Sequence, residues 1–177
     1  MESFPNLFAP RLRLRKIEIE DVPALLRYAN NPKIAQFVLN IPYPYQEPDA
    51  VFRISYVVQG FKNKARVVWA IVSKERDELI GEIGLHFVGS KDVAQLGYWI
   101  GEPFWNMGIA SEAVAAVARF GFEKLGLNLI FATCHVENPA SAKVLSKNGF
   151  AEVSVNGNVC QMNLTKNEFE RRVAQNA

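Results

Sequence analysis

Apolar and polar residues follow two distinct periods along this chain. Alternation at every second position, or a short continuous apolar run, is typical of strands, whereas apolar residues at every third or fourth position indicate one face of a helix. The first pattern predicts strands at 11–17, 66–72, 79–87, 93–100, 129–136, 153–155 and 159–164. The second predicts a helix that begins at 20–23 and helices over 49–61, 108–125 and 139–147.

Turn-forming residues mark the ends of these elements. Asn30-Asn31-Pro32 ends the first helix, because asparagine favours turns and proline disfavours a helical residue before it. Gly126 and Gly149 follow the last two helices, where glycine adopts the left-handed backbone of a helix end. Asn156-Gly157 separates the final two strands and predicts a type I′ hairpin turn.

The order of these elements predicts the fold class. Strands come first, and strands and helices then alternate, which is typical of one sheet covered by helices. A chain of 177 residues has the length of one domain. We therefore predict an α/β (α+β) protein with a single domain over 1–177 and a central, mixed, mostly antiparallel sheet of about seven strands.

Composition and charge exclude several classes of protein. The chain is 49% hydrophobic and carries a net charge of +2, unlike a disordered chain or a typical nucleic-acid binder. Arg11, Arg13 and Arg15 form the densest basic cluster. They alternate with leucines as the solvated face of a half-buried strand does, and we prefer this interpretation to a phosphate-binding patch.

Cysteine and histidine are too sparse for a disulfide scaffold or a zinc site. Cys134 and Cys160 lie in separate segments, and His86 and His135 are the two histidines. We expect Cys134 to act as an inert apolar side chain. Because no signal-peptide pattern and no apolar run of membrane-spanning length is present, we expect a cytoplasmic protein.

The strongest chemical signal lies in residues 98–113. A predicted strand ends at Ile100, a short loop follows, and the longest helix begins at Gly108. The first turn of a helix exposes unpaired N–H groups and the positive end of the helix dipole, which bind phosphate if the backbone can approach. Gly108, Ala110 and Ser111 keep that approach open. The segment has neither P-loop nor dinucleotide spacing, and a glycine before a helix can also be an ordinary turn.

A second polar segment follows the predicted strand at 129–136. Asn138 precedes Pro139, as an N-cap residue precedes the first helical position, and Ser141 lies in the first turn. Such residues can cap the helix and bind a ligand at the same time.

Together these segments resemble the GNAT superfamily of N-acyltransferases. Residues 105–110, Trp-Asn-Met-Gly-Ile-Ala, are similar to its acyl-CoA motif Gln/Arg-x-x-Gly-x-Gly/Ala, with tryptophan at the first position. The opening strand, residues 97–113 and the segment from Asn138 to Phe150 are similar to the RimJ/RimL type of ribosomal-protein N-terminal (alanine or serine) acetyltransferases. This resemblance covers nearly the whole chain. It implies a GNAT fold in which two parallel strands, 93–100 and 129–136, splay apart around acetyl-CoA.

The resemblance also implies which residues bind acetyl-CoA. Backbone groups would bond the pantetheine arm and the pyrophosphate, and two polar side chains would contact the arm from the second strand. The backbone set for the arm is Trp99, Ile100 and Gly101; the set for the pyrophosphate is Asn106, Met107, Gly108, Ile109, Ala110 and Ser111; the side chains are Asn138 and Ser141.

Acetyl transfer to an amine needs a donor for the carbonyl oxygen and an acid for the leaving thiolate. The Ile100 N–H is the candidate donor. The resemblance implies that Ser141 protonates the thiolate, because Leu145 replaces the tyrosine that many members use.

The base that deprotonates the amine is less defined by the sequence. Gln95 stands where many related chains carry glutamate. Glu82 and His86 share one side of a strand and are the catalytic candidates, since either can order a chain of water molecules. The pattern also fits surface groups, and we prefer that interpretation.

The predicted function is acetyl-CoA-dependent N-acetylation of a primary amine by direct transfer, with the α-amine of a protein amino terminus as the expected acceptor. A small-molecule amine or amino acid is an alternative acceptor. A non-catalytic CoA-binding module and a nucleotide- or phosphate-binding protein are alternative functions. We expect no metal, nucleic-acid or membrane partner, and a homodimer is left open.

Overall fold

A computed structural model describes residues 3–89 and 92–175. Within them, eight strands form one sheet in the order β1-β2-β3-β4-β5-β6-β8-β7. Neighbouring strands are antiparallel except β5 and β6, which are parallel. The strands are β1 Leu7–Phe8, β2 Leu12–Lys16, β3 Arg66–Ser73, β4 Glu78–Phe87, β5 Val93–Ile100, β6 Leu129–His135, β7 Ala151–Asn156 and β8 Val159–Thr165.

Helices cover both faces of this sheet. They are α1 Val22–Ala29, α2 Pro32–Ala35, α3 Glu47–Lys62, α4 Ile109–Glu123, α5 Pro139–Lys147 and α6 Lys166–Gln175. Helices α1 and α3 pack on β4 and β3 from one face. On the other face α4 packs closely, since a side chain added at Gly121 would meet Ile130 and Leu85. Helix α5 lies beside α4 and β6.

The core is thickest at the central strands β3 and β4. Trp69 on β3 is fully buried and meets Phe4 and Phe120 through ring edges. Its indole N–H donates to the Pro5 carbonyl at 2.7 Å, so burial leaves no donor unpaired. The central strands are therefore a rigid base for the polar side chains that β4 and β5 carry.

Most predicted elements are confirmed to within two residues at each end, but three elements were not predicted. The sheet has eight strands rather than about seven because β1, with two residues, is too short to show alternation. Helix α2 spans only four residues. Helix α6 has no buried residue, and its two large apolar side chains, Phe169 and Val173, are too few to predict a helix by periodicity.

The predicted hairpin between β7 and β8 is confirmed, but the predicted turn type is wrong. Asn156 pairs with Val159, so Gly157 and Asn158 are the two central residues. A type I′ turn needs positive φ at both, and only Gly157 has it, at 57°. The turn therefore has the φ pattern of type II′, with glycine at the first central position.

Candidate active site

The two parallel strands separate halfway along their length. β5 and β6 pair from Val93–Leu129 to Leu96–Ala132, and both strands then continue, to Ile100 and His135. Beyond the last pair neither strand has the other as a partner, so an open strand edge faces a gap. We call this gap the cleft. The strand pair that the resemblance singled out is thus the one that splays apart.

The hydrogen bonds of β5 to β4 decide which backbone groups face the cleft. The Gly101 N–H donates to the Ile80 carbonyl at 2.8 Å. Residues of an antiparallel pair face their partner alternately, so Trp99 is also turned to β4, whereas Tyr98 and Ile100 face the cleft. The Ile100 carbonyl accepts from the Trp105 indole N–H at 2.7 Å. The Ile100 N–H is therefore directed into the cleft, as expected of the predicted donor. The Gly101 N–H is already bonded to β4.

The loop from Trp105 to Gly108 turns the chain from the cleft into α4. Asn106 and Gly108 both have positive φ, 61° and 76°. Glycine is favoured at 108 by this positive φ, and a side chain added there would be in ordinary contact with the Arg11 Nη2 atom, at 3.4 Å. The first helical bond runs from the Glu112 N–H to the Gly108 carbonyl. Among the described residues, none accepts from the N–H groups of residues 106–111.

Arg11 is exposed, as the sequence predicts for a solvated face, and it also lies against this loop. Its side chain bonds Glu112 and the Met107 carbonyl. Arg15 departs from that expectation, because its guanidinium pairs with the buried Asp21. Arg13, which pairs with the exposed Asp77, fits it.

Asn138 and Ser141 lie at the start of α5, on the other side of the cleft. The Asn138 side chain accepts from the Ser141 N–H at 3.2 Å, so it caps the helix as predicted. The Ser141 Oγ lies 2.9 Å from the Tyr98 hydroxyl, which joins α5 to β5. Burial raises the pKa of Tyr98 to about 12, so its phenol stays protonated at neutral pH.

Glu82 is buried on the face of the sheet that α1 and α3 cover. It is 2% exposed, and the expectation that it is a surface group is wrong. Arg53 of α3 donates through Nε and Nη2, at 2.9 and 2.6 Å, and both bonds fall on Oε2. None of the described residues bonds Oε1, so this oxygen is left to accept from a ligand.

His86 lies on the same face of β4 as Glu82, two residues after Gly84. It is half-buried rather than on the surface. Burial, followed by the positive charges of Arg66 and Arg53, lowers its pKa to about 4. His86 is therefore neutral at pH 7 and able to accept a hydrogen bond. The Arg66 guanidinium is held 3.8 Å above the Tyr56 ring, which keeps its charge on this side of the sheet.

Two further groups lie on the same face beside the cleft. Gln95 of β5 donates to Thr133 of β6 at 3.2 Å, just where the strands begin to separate. Trp99, opposite Glu82 in the strand register, is 5% exposed, and its indole N–H has no partner. Unpaired buried donors are rare in native proteins, so this group is one that a ligand can satisfy.

The predicted catalytic residues thus fall into two groups on opposite faces of the sheet. Glu82 and His86 lie under α3, whereas Ser141 and its partner Tyr98 lie on the side of α4 and α5. No hydrogen bond joins the two groups within the described residues. The cleft, with the Ile100 N–H at its edge, opens the sheet between them.

Sequence reasoning missed three residues of this site. Arg53 shares an apolar helix stripe with Ala50, Ile54 and Val57, and a lone charge in such a stripe was the available signal. Tyr98 shares one side of β5 with Leu96 and Ile100. That side is buried, and a buried phenol needs a hydrogen-bond partner. Arg11 carried no signal, because its partners are about a hundred residues away.

The remaining candidate chemistry is limited. No group of three or more histidine, cysteine or acidic side chains suited to a metal ion occurs in residues 3–89 and 92–175. Cys134 and Cys160 face each other on β6 and β8, and burial raises the pKa of both thiols, that of Cys160 to about 11. In the same part of the chain, no helix has the length and apolar character needed to cross a bilayer.

Comparisons with known proteins identify the family. Residues 11–151 match the model of the acetyltransferase (GNAT) domain. The uncharacterized N-acetyltransferase p20 of Bacillus licheniformis is 34% identical over 149 residues, which is 82% of each chain. This protein therefore belongs to the GNAT acetyltransferases, which transfer acetyl groups from acetyl-CoA to amines, and it is an acyltransferase.

Two further comparisons concern ribosomal-protein acetyltransferases. The ribosomal-protein-serine acetyltransferase of Escherichia coli is 34% identical over 77 residues, 43% of each chain. The structure of Mycobacterium smegmatis RimJ in complex with CoA-disulfide superposes with a TM-score of 0.77 at 20% identity, covering 97% of this chain and 93% of that one. At this identity the second likeness concerns the fold alone.

Proposed function

We propose that this protein transfers the acetyl group of acetyl-CoA directly to the α-amine of a protein amino terminus. The observation that carries the proposal is the cleft between β5 and β6, which opens beside the unpaired N–H groups at the start of α4. An extended thioester arm fits an open strand edge, and a pyrophosphate fits the positive end of a helix. The GNAT family match is consistent with this ligand.

In this proposal the backbone binds the co-substrate. The cleft-facing backbone of Tyr98 and Ile100 holds the pantetheine arm, and Asn138 contacts it from α5. The N–H groups of residues 106–111 hold the pyrophosphate, which needs no lysine or arginine at the motif itself.

Side chains from both faces carry the chemistry. The free Oε1 of Glu82 accepts a hydrogen bond from the acceptor amine, and Glu82 or the neutral His86 takes up its proton, directly or through water. The amine nitrogen then bonds the acetyl carbon while the Ile100 N–H stabilises the negative charge on the carbonyl oxygen. As the carbon–sulfur bond breaks, Ser141 donates a proton to the sulfur, and Tyr98 holds the Ser141 hydroxyl in place.

The face of the sheet under α3, where the acceptor amine would bind, favours a peptide acceptor over a polycation. Arg53 and Arg66 place two positive charges near the Glu82 carboxylate and His86, which is unlike the acidic surface that a polycation needs. Phe52 and Tyr56 stack on the outer surface of α3, where Phe52 is 71% exposed. Exposed aromatic side chains are typical of surfaces that contact a macromolecule. The ribosomal-protein relative points to the same class of acceptor.

The first test is calorimetric titration of acetyl-CoA into the protein, with ATP and NAD as controls. We expect micromolar binding of acetyl-CoA alone. Peptides that begin with serine or alanine are then compared, by release of free thiol, with the same peptides carrying a blocked amino terminus and with small amines.

Turnover of the free peptides and not the blocked ones supports the proposal. Reaction with small amines alone would refute the protein acceptor. Binding without any turnover would instead indicate a CoA-binding module, and preference for ATP or NAD would indicate a different phosphate ligand.

A further inference from the structure

Arg11 joins the start of β2 to the loop and helix that follow β5. Its backbone N–H donates to Glu112 Oε1 at 2.7 Å, its Nε to Glu112 Oε2 at 2.8 Å, and its Nη1 to the Met107 carbonyl at 2.8 Å. Its Nη2 lies beside Gly108. One side chain therefore touches the loop, its glycine and the first turn of α4.

The bond to Met107 fixes the orientation of one peptide group in the loop. The Met107 carbonyl and the Gly108 N–H belong to the same planar trans peptide, so they point in opposite directions. While Arg11 holds the carbonyl, the Gly108 N–H points away from Arg11. The preceding Asn106 has a left-handed backbone, which costs a non-glycine residue free energy and persists only where neighbouring groups hold it. Arg11 is such a neighbour.

Glu112 explains why the residue that holds this loop is charged. A carboxylate in the first turn stabilises α4 through the helix dipole. The same carboxylate would repel a phosphate bound at the helix start. Glu112 is mostly buried, and Arg11 both neutralises it and is oriented by it.

We propose that Arg11 is a positioning residue for the pyrophosphate of the co-substrate, an inference that rests on the proposed function. It acts through the Met107 carbonyl and Glu112, by holding the loop 105–108 in the conformation that leaves the N–H groups of residues 106–108 free. This assigns a functional reason to an arginine that the sequence pattern places on a strand's solvated face.

The test is a series of ligands that lose phosphate groups stepwise. Arg11→Gln is titrated with CoA, with 3′-dephospho-CoA, which keeps the pyrophosphate, and with pantetheine, which lacks it. We expect the Kd of the first two to rise about tenfold, the effect of one charge-assisted hydrogen bond, and that of pantetheine to stay unchanged. A merely structural role would weaken all three ligands together, and equal affinity of the variant and the wild type for CoA would overturn the proposal.

A double variant separates positioning from charge. If Arg11 only neutralises Glu112, then Arg11→Gln combined with Glu112→Gln should restore wild-type CoA affinity, which would overturn the positioning role. We expect most of the loss to persist, since nothing then holds the Met107 carbonyl. The matched control is Arg13→Gln, two residues further along the chain on β2, which removes an exposed ion pair; it should leave all three affinities unchanged.

If Arg11→Gln fails to fold, Arg11→Lys serves instead. Lysine keeps the charge beside Glu112 but lacks the planar fork that reaches two acceptors. It should weaken CoA and spare pantetheine, and wild-type affinity would overturn the proposal. Failure of wild-type protein to bind CoA would remove the proposed function and this inference together, whereas wild-type binding with an indifferent Arg11 removes the inference alone.

Discussion

The two sides of the cleft are lined by different chemical groups, backbone N–H groups on one side and charged side chains on the other. On the side of α4, the groups left unpaired are backbone N–H groups next to Gly108, Ala110 and Ser111, which are small residues in one continuous segment. On the side of α3 lie charged side chains, Glu82 from β4 and Arg53 from a helix about thirty residues earlier. The comparison teaches that a backbone site depends on local conformation, whereas a side-chain site depends on how distant elements pack.

The two constructions also differ in energy. Backbone N–H groups at a helix start carry no charge that must be buried. The Arg53–Glu82 pair must be desolvated, and removing one partner leaves an uncompensated buried charge, which typically costs about 3–5 kcal/mol. Variants on the α4 side should therefore change co-substrate affinity, and variants on the α3 side should change turnover and stability.

The largest effect is expected from Gly108→Glu. A glutamate at positive φ distorts the loop and places a negative charge at the proposed phosphate site, so CoA affinity should fall by about a hundredfold or more. Calorimetric titration measures it. The control is Gly157→Glu, another glycine at positive φ but with open space around it, which should leave binding intact. Tight binding by the Gly108 variant would contradict the backbone site.

Glu82→Gln should lower turnover by about a hundredfold while the Kd of acetyl-CoA stays unchanged, because a neutral amide cannot take up the proton of the amine. Thiol release with the best peptide acceptor gives the turnover, and a melting curve verifies folding. Glu78→Gln is the matched control, since Glu78 lies on the same strand and also pairs with an arginine. Weakened acetyl-CoA binding in the Glu82 variant alone would break the proposed division between the two sides.

A smaller loss is expected from Ser141→Ala. Removing the hydroxyl should lower kcat by about tenfold, with little change in acetyl-CoA affinity, since one proton donor is lost and water can replace it in part. Tyr98→Phe should cause a similar loss, and the double variant little more, because the two hydroxyls act as one unit. Ser146→Ala, an exposed serine on the same helix, is the control. Unchanged turnover of the Ser141 variant would exclude it as the acid.

The smallest effect concerns the pH dependence of stability. Because the pKa of His86 is about 4 in the folded protein and 6.5 ordinarily, the unfolded chain binds a proton between these values and the folded protein does not. The contribution of His86 to stability is therefore fully present above pH 6.5 and is lost as the pH falls toward 4. In His86→Gln the free energy of unfolding should fall less steeply over this range. The free energy of unfolding is measured by denaturant titration at each pH. If it depended on pH identically in the variant and the wild type, this would argue against a buried, neutral His86.

The same contrast between backbone and side-chain sites explains how much of the site could be predicted from the sequence. The loop before α4 and the start of α5 were both located from residue types at fixed spacing, and the structure has a helix start at each. Their conformation is local, because glycine and an asparagine–proline pair act on their own backbone. The interpretation of Glu82 as a surface group failed because alternation shows that a residue is polar on one side of a strand, not what covers that side.

The sequence by itself determined most of the strands and the main helices, because each depends on periodicity or on a few adjacent residues, and its resemblance to a known family indicated the strand pair that splays apart. The tertiary structure alone decided which side chains meet: Arg53 with Glu82, Tyr98 with Ser141, and Arg11 with Glu112. These partners come from elements that lie far apart in the chain and touch only after the sheet has formed and the helices have packed on it. Contacts of this kind depend on three-dimensional packing, and no local pattern in the sequence encodes them.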